Sequence, residues 1–121
     1  MKPSADVLEA ERLVDEYLAC HGSAETEGVI ALFSEDASLE DPVGAPALTG
    51  RSAIRAFYRE THARQGRLSF ERVGPVLIRG DELAVHVRAR LERDADAPGT
   101  DVIYTLRVDG EGRIRGLRAY F

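Results

Sequence analysis

The sequence predicts an α+β fold in which three N-terminal helices pack in a curved, mainly antiparallel sheet that forms a cone with an apolar pocket. Two observations predict it. Apolar residues recur at helical spacing over much of the chain up to Gly66, and beyond it they alternate with polar residues, as in strands with one buried face. Helices followed by a run of long strands indicate helices against one face of an antiparallel sheet. A sheet curled around helices leaves one open end, where an apolar pocket can form.

The composition limits the chain to one domain and to a few classes of partner. With 121 residues, of which 44% are hydrophobic and 31% charged, we expect residues 1–121 to form a single globular domain. The net charge of -5 argues against nucleic acid and an anionic membrane as partners. No apolar run approaches a membrane span and no signal-peptide pattern is evident, so we expect a cytoplasmic protein.

Three segments show helical spacing. The first covers residues 4–22, with Ser4 as a favourable N-cap. A second, shorter helix is predicted for residues 23–33, where Gly28 lowers the helical propensity of the middle. A third is predicted for residues 53–64. The apolar stripe of the first helix consists of Val7, Ala10, Val14, Tyr17, Leu18 and His21, and that of the third consists of Ile54, Phe57 and Tyr58.

The strands are predicted from the alternation of apolar and polar residues. An early strand covers residues 37–41, and a strand that begins at Leu68 is interrupted near Gly74 and resumes over residues 76–78. Longer strands are predicted for residues 83–91, 102–108 and 113–121. In the last strand the inward positions shift by one residue at Gly116, which predicts a β-bulge.

Two adjacent carboxylates, Glu40 and Asp41, end the early strand and precede Pro42. Side chains alternate along a strand, so Asp41 shares its face with Leu39, whereas Glu40 points to the other face. A carboxylate on the apolar face of a sheet is costly to ionise. We therefore expect its pKa to rise toward neutral pH, as a general base requires. The alternative is an aspartate that only opens a turn with Pro42.

Four polar residues are predicted on inward faces: Tyr17, Asp41, Tyr58 and Tyr104. A buried tyrosine usually only finds a hydrogen-bond partner, so each tyrosine alone is explained by packing. Together they place one carboxylate among several phenols. A phenol is neutral at pH 7 and can donate to a developing oxyanion, while a carboxylate opposite it can abstract a proton next to a carbonyl. No further inward Asp, His or Arg is predicted.

The histidines and the cysteine do not indicate a metal site or a nucleophilic triad. His21 and His62 are expected to be surface or helix-capping residues, and His86 is expected on the solvent face beside Arg88. No ligand spacing is present, so no metal is predicted. Cys20, the only cysteine, cannot form an intrachain disulfide and is expected to pack as an inert side chain.

The segment Glu40-Asp41-Pro42-Val43-Gly44 is the most specific part of a pattern that runs nearly end to end, with residues 29–33, 50–58 and 112–121 at matching spacing. In these residues the chain resembles the Δ5-3-ketosteroid isomerases, which have the cone-shaped fold of nuclear transport factor 2 and the polyketide-cyclase-like proteins. The resemblance implies a homodimeric enzyme without a cofactor that acts on a small apolar ketone or steroid.

The resemblance also implies roles for individual residues. Asp41 would be the catalytic base that moves a proton from C4 to C6 of a 3-oxo-Δ5-steroid through a dienolate. Tyr17 would donate to the dienolate oxygen, and Tyr58 would hydrogen-bond to Tyr17 and orient it. The positions implied to line the substrate pocket are Phe33, Phe57, Val85, Val87, Leu117, Ala119 and Phe121.

Tyr104 departs from the family pattern, which has a second acid at this position. A phenol is neutral without any shift of its pKa, so Tyr104 could donate to the oxyanion in place of the acid. It is also longer than a carboxylic side chain, so it could instead fill the oxyanion site and leave a non-catalytic domain that binds apolar ligands. A cyclase or hydrolase acting on another apolar substrate is the remaining alternative.

Overall fold

The computed structural model describes residues 5–121, and its elements are those of an α+β chain. The class predicted from the sequence is confirmed, and the predicted N-cap Ser4 lies outside the described residues. The helices are α1 (Ala5–Gly22), α2 (Thr26–Ile30) and α3 (Arg51–Gln65), and the strands are β1 (Phe33–Glu40), β2 (Leu48–Thr49), β3 (Leu68–Arg72), β4 (Leu77–Arg79), β5 (Glu82–Leu91), β6 (Thr100–Val108) and β7 (Ile114–Tyr120). A 3-10 turn, Glu92–Asp94, lies between β5 and β6.

The strands of the described part of the chain form one curved, unclosed sheet in the order β2-β1-β7-β6-β5-β3, and β4 pairs with β5. β1 runs parallel to β7, and every other pair is antiparallel. The expectation of a mainly antiparallel sheet is therefore confirmed. The register of β6 places Tyr104 between Val85 of β5 and Ala119 of β7.

The β-bulge predicted at Gly116 is present. Gly116 pairs with Arg107 and Ile114 pairs with Val108, so Arg115 is the extra residue of β7. A bulge shifts the alternation of side chains by one residue. Beyond it, Leu117 and Ala119 face the interior, where both are buried.

The core lies between the sheet and the helices α1 and α3. Val14 of α1 and Ile54 of α3 are buried among the inward side chains of the sheet. Burying an aliphatic side chain of this size stabilises the fold by about 1.5–3 kcal/mol. The guanidinium of Arg51, at the start of α3, donates to the carbonyl oxygen of Phe33 at 2.6 and 3.0 Å. Apolar burial and this polar contact together fix α3 against the start of β1.

The prediction for the second helix is wrong in its last part. α2 ends at Ile30, and Phe33 already begins β1, which starts before the predicted strand of residues 37–41. The carbonyl of Leu32 accepts a hydrogen bond from the backbone N–H of Ile114 at 2.8 Å. Pairing with β7 therefore takes the backbone groups that a longer helix would use.

Gly28 in α2 has a packing role that its low helical propensity did not reveal. A Cβ atom added at this position would lie 2.9 Å from Sγ of Cys20 in α1. The glycine therefore allows α2 to approach α1 closely, and Cys20 packs against it as a half-buried side chain.

None of the helices within residues 5–121 combines the length and the apolar character that crossing a membrane requires.

Candidate active site

A cleft of about 480 Å³ opens between α3 and strands β3, β5 and β6, with Asp41, Tyr104 and His21 in its lining. Its walls are largely apolar, as expected for a small-molecule site. The apolar lining consists of Pro42, Phe57, Leu68, Phe70, Ala89, Leu91, Val102 and Phe121, and the other polar lining consists of Thr61, Arg64, Gln65, Arg90 and Thr100.

Asp41 reaches this cleft because it continues the alternation of β1 past the end of the strand. Leu39 is buried on the inner face, whereas Glu40 points outward and its carboxylate lies 3.4 Å from the guanidinium of Arg118. Burial raises the pKa of Asp41 from 3.8 to about 6, the direction expected from the sequence. Of the two adjacent carboxylates, Asp41 is the one that can accept a proton in the cleft near neutral pH.

The segment that carries Asp41 is attached to the sheet. The backbone N–H of Val43 donates to the carbonyl oxygen of Ala119 at 2.8 Å, and the Asp41–Pro42 peptide bond is cis. Ala119 is also the register partner of Tyr104. One residue of β7 therefore contacts both the segment that holds the carboxylate and the strand that holds the phenol.

Tyr104 is the tyrosine of the site that lines the cleft, and its side chain is only 4% exposed. Its ring packs edge-on against Tyr17, with centroids 5.5 Å apart. Burial raises the pKa of the Tyr104 hydroxyl, the negative charge of Asp41 raises it further, and the side chain of Tyr17 acts in the opposite direction. The phenol is therefore neutral at pH 7 and able to donate a hydrogen bond.

Tyr17 and Tyr58 form a buried pair behind Tyr104. Their hydroxyl oxygens are 2.6 Å apart, and neither residue belongs to the lining of the cleft. Burial raises the pKa of both phenols well above 10, and the charge of Asp41 contributes to both increases. The three inward tyrosines and Asp41 are thus close enough for each phenol to interact with the carboxylate.

The sequence-based placement of two histidines at the surface is wrong. His21 is 5% exposed and His62 is 8% exposed. Nδ1 of His21 lies 3.0 Å from Nε2 of His62, and Nδ1 of His62 lies 2.7 Å from Oγ1 of Thr26. Each histidine follows a buried tyrosine by four residues, so each extends the buried stripe of its helix by one turn. That spacing was the available signal.

Burial sets the charge of this histidine pair. It lowers the pKa of His21 to about 4, with a smaller contribution from His62, and it also lowers the pKa of His62. Both rings are therefore neutral at pH 7. His86, by contrast, lies on the exposed face of the sheet as predicted, with Nε2 3.0 Å from the carboxylate of Asp101, which also accepts from Arg88.

The expectation that no further His faces the interior is also wrong. His21 lines the cleft, and so do Arg64 of the last turn of α3 and Arg90 near the end of β5. Arg64 is exposed and Arg90 is partly exposed, as long cationic side chains at a rim usually are. The two arginines line the cleft because the ends of α3 and β5 border it. This tertiary arrangement cannot be read from the sequence pattern.

The seven positions implied to line the pocket fall into two groups. Phe57 and Phe121 line the cleft, and the Phe121 side chain is 66% exposed. Five others are packed in the buried core and are not in the lining of the cleft: Phe33, Val85, Val87, Leu117 and Ala119. Residues that the sequence did not single out, such as Thr61 and Phe70, take part in the lining instead. Thr61 follows Phe57 by one helical turn, which is the signal that could have identified it.

Among residues 5–121, no three His, Cys, Asp or Glu side chains converge as a metal site would require. The polar groups at the cleft are instead a carboxyl group, a phenol, an imidazole, the rim arginines, two threonines and a glutamine.

Two comparisons with known proteins match most of the chain. The model of the SnoaL-like domain matches residues 14–117. A steroid Delta-isomerase from Nocardioides simplex is 30% identical over 117 residues, which cover 93% of this chain and 89% of that protein.

Proposed function

This chain belongs to the ketosteroid isomerase-like family of SnoaL-like domains, and we propose that it catalyses the allylic isomerisation of a 3-oxo-Δ5-steroid to the conjugated Δ4 enone. The observation that carries this proposal is the position of Asp41, a carboxyl group with a pKa raised to about 6 that lines an apolar cleft beside the Tyr104 phenol. The steroid Delta-isomerase that it resembles supports the same class of reaction.

The proposed reaction needs only proton transfer. The carboxylate of Asp41 takes the proton from C4 of the steroid, the C4–H bond breaks, and the electron pair moves onto the C3 oxygen to form a dienolate. The protonated Asp41 then returns the proton to C6, and the double bond ends in conjugation with the ketone. Nothing is oxidised or reduced overall, so the reaction requires no cofactor.

The direct donor to the dienolate oxygen is Tyr104 in this proposal. The observation that supports it is that Tyr104 lines the cleft, whereas Tyr17, which is hydrogen-bonded to Tyr58, does not. The Tyr17–Tyr58 pair then supports the donor from behind, as a chain of hydroxyl dipoles. A neutral phenol thus does the work for which the family uses an acid at this position.

A cyclase or hydrolase with the same fold is the second candidate. It is favoured by the extra polar groups at the cleft, His21 and the rim residues Arg64 and Arg90. Such groups could position a water molecule or a second functional group of a different substrate.

The test is isomerisation of a Δ5-3-ketosteroid, followed by the rise in absorbance of the conjugated enone. We expect turnover well above the buffer-catalysed background. Binding of a Δ4-3-ketosteroid without turnover of the Δ5 isomer would indicate a non-catalytic domain that binds apolar ligands. Failure to bind either steroid would favour the second candidate, a cyclase or hydrolase.

A homodimer is also proposed. Ile103 and Tyr120 are exposed although both are large and apolar, and they are register partners on the outer face of β6 and β7. An exposed apolar pair of this kind is suited to a contact between sheets of two copies. Sedimentation or light scattering at micromolar concentration tests the dimer, and Ile103→Lys should shift it toward the monomer. The cytoplasmic location stays a prediction from the sequence.

A further inference from the structure

A second group of hydrogen-bonded polar side chains borders the cleft, in addition to Asp41 and Tyr104. It is a chain of three side chains, Thr26, His62 and His21, which we call the histidine chain. Its hydrogen bonds are 2.7 Å between Oγ1 of Thr26 and Nδ1 of His62, and 3.0 Å between Nε2 of His62 and Nδ1 of His21. The proposed isomerisation uses none of these groups.

The histidine chain ends on an atom that faces the cleft. Nδ1 of His21 is engaged with His62, which leaves Nε2 without a partner among residues 5–121. No fully buried side-chain nitrogen or oxygen in that part of the chain lacks a hydrogen-bond partner. Nε2 is therefore in contact with accessible space, and the accessible space that His21 lines is the cleft.

The free nitrogen can act as a donor or as an acceptor. If Thr26 donates to His62 and His62 donates to His21, Nε2 of His21 carries the proton and donates to a ligand. If His21 donates to His62 and His62 donates to Thr26, the polarity is reversed and Nε2 accepts. Both arrangements satisfy the other three ring nitrogens of the histidine chain, so His21 can match either a carbonyl or a hydroxyl oxygen.

The surroundings of His21 are aromatic. Its ring packs against Tyr17, Tyr58 and Phe70, with centroids 5.7, 5.3 and 5.4 Å away. Burying two imidazoles costs free energy that an apolar pair of similar volume would avoid. A polar atom on the ligand that hydrogen-bonds to Nε2 would offset this cost. Such a contact explains why a histidine with a free ring nitrogen borders an apolar cleft.

We propose that Nε2 of His21 binds a second oxygen of the ligand, a hydroxyl or carbonyl group remote from the reacting ketone. The cleft would then select oxygenated apolar ketones over those with a single carbonyl. The identity of the ligand class rests on the proposed function, whereas the second polar contact does not depend on turnover.

The experiment compares the binding of matched 3-oxo-Δ4-steroids, which are already conjugated and are not converted. One carries no other oxygen, and the others carry one hydroxyl or one carbonyl on ring C or D. A neutral hydrogen bond in a dry site corresponds to a preference of about three- to tenfold. We expect calorimetry to show this preference in the wild type for at least one oxygenated ligand, its loss in His21→Leu, and partial recovery in His21→Gln, which keeps a polar group near the Nε2 position.

Selective ¹⁵N labelling of histidine reports directly on hydrogen bonding at the His21 ring. A histidine with a purely structural role would not distinguish the oxygenated ligand from the plain ketone. The chain has three histidines, and exposed His86 serves as the internal control, with His86→Gln as the matched variant. We expect the ¹⁵N signals of His21 to shift when the preferred oxygenated ligand binds and to shift less when the plain ketone binds. The signals of His86 should stay unchanged with both ligands.

Equal affinities for all ligands in the wild type would overturn the inference, as would a preference that survives in His21→Leu or an absence of binding by every steroid. If His21→Leu does not fold, the ¹⁵N shifts decide. A preference for oxygenated ligands without isomerisation would support this inference and contradict the proposed reaction. Isomerisation without such a preference would support the reaction and contradict this inference.

Discussion

The hydroxyl oxygens of Tyr17 and Tyr58 lie 2.6 Å apart in the interior, while Tyr104 lies between this pair and the cleft. One hydroxyl of the pair donates to the other, and neither side chain lines the cleft. A ligand oxygen in the cleft therefore meets Tyr104 first. This order of the phenols decides which substitutions should affect chemistry directly and which should act through a neighbour.

Replacing the proposed base should abolish most of the activity without disturbing the fold. We expect Asp41→Asn to lower kcat by about 10²- to 10⁴-fold, the usual contribution of a positioned general base. The matched control is Glu40→Gln, because Glu40 is the adjacent carboxylate but points outward to Arg118. The enone assay with both variants checks the assignment, and similar losses in the two would contradict it.

The rate should depend on pH through the carboxyl group of Asp41. The base works only when ionised, and burial raises its pKa to about 6. We therefore expect kcat/KM to rise with pH and to level off above an apparent pKa of about 6. The pKa values of the three inward phenols are raised, so no fall is expected in the neutral range. A flat profile from acid to neutral pH would contradict Asp41 as the base.

Loss of the cleft-facing phenol should cost more than loss of a phenol behind it. We expect Tyr104→Phe to lower kcat by about 10²- to 10³-fold, as for other lost oxyanion donors, and Tyr58→Phe by less than about tenfold. Tyr120→Phe is the control, because Tyr120 lies exposed on the outer face. A larger loss in Tyr17→Phe than in Tyr104→Phe would show instead that Tyr17 is the direct donor.

Stability should respond to pH through the same carboxyl group. Its pKa is higher in the folded chain than the value of 3.8 expected when unfolded, so the folded state binds the proton more tightly. The free energy of unfolding should therefore fall as pH rises from about 4 to about 6. We expect Asp41→Asn to be more stable than the wild type at pH 7, on the order of 2 kcal/mol, and to lose this advantage near pH 4.

Urea unfolding at the two pH values measures this difference. His21 works in the opposite direction, because its pKa is lowered to about 4 and the folded state is destabilised as pH falls below about 6.5. The comparison between variant and wild type cancels this contribution. An advantage of the same size at both pH values would show that the Asp41 carboxyl is not the cause.

Much of the fold could be predicted from the sequence because its signals are local. The alternation in β5 and β6, the phase slip at Gly116 and the opposite faces of Glu40 and Asp41 all follow from the strand period of two. The end of α2 could not be predicted, because it depends on pairing between Leu32 and Ile114, which are distant in the chain.

The site was less predictable than the fold for the same physical reason. The sequence indicated that Tyr17, Tyr58 and Tyr104 face inward, but only packing decides which of them borders empty space. The burial of His21 has a local signal, its spacing of four residues from Tyr17. The preference of histidine for helix C-termini offered an equally good explanation, and the partner that decided between them, His62, lies on another helix.

The Tyr17–Tyr58 and His21–His62 contacts span the same separation of 41 residues and lie one turn apart, so α1 and α3 run side by side in the same direction. Removing one partner of a buried hydrogen bond costs about 1–3 kcal/mol, whereas replacing both with apolar groups of similar shape costs little. Adapting this cleft to other ligands, by selection or by design, therefore favours changes made in pairs across the two helices. A route of single substitutions passes through intermediates that are less stable than either end point.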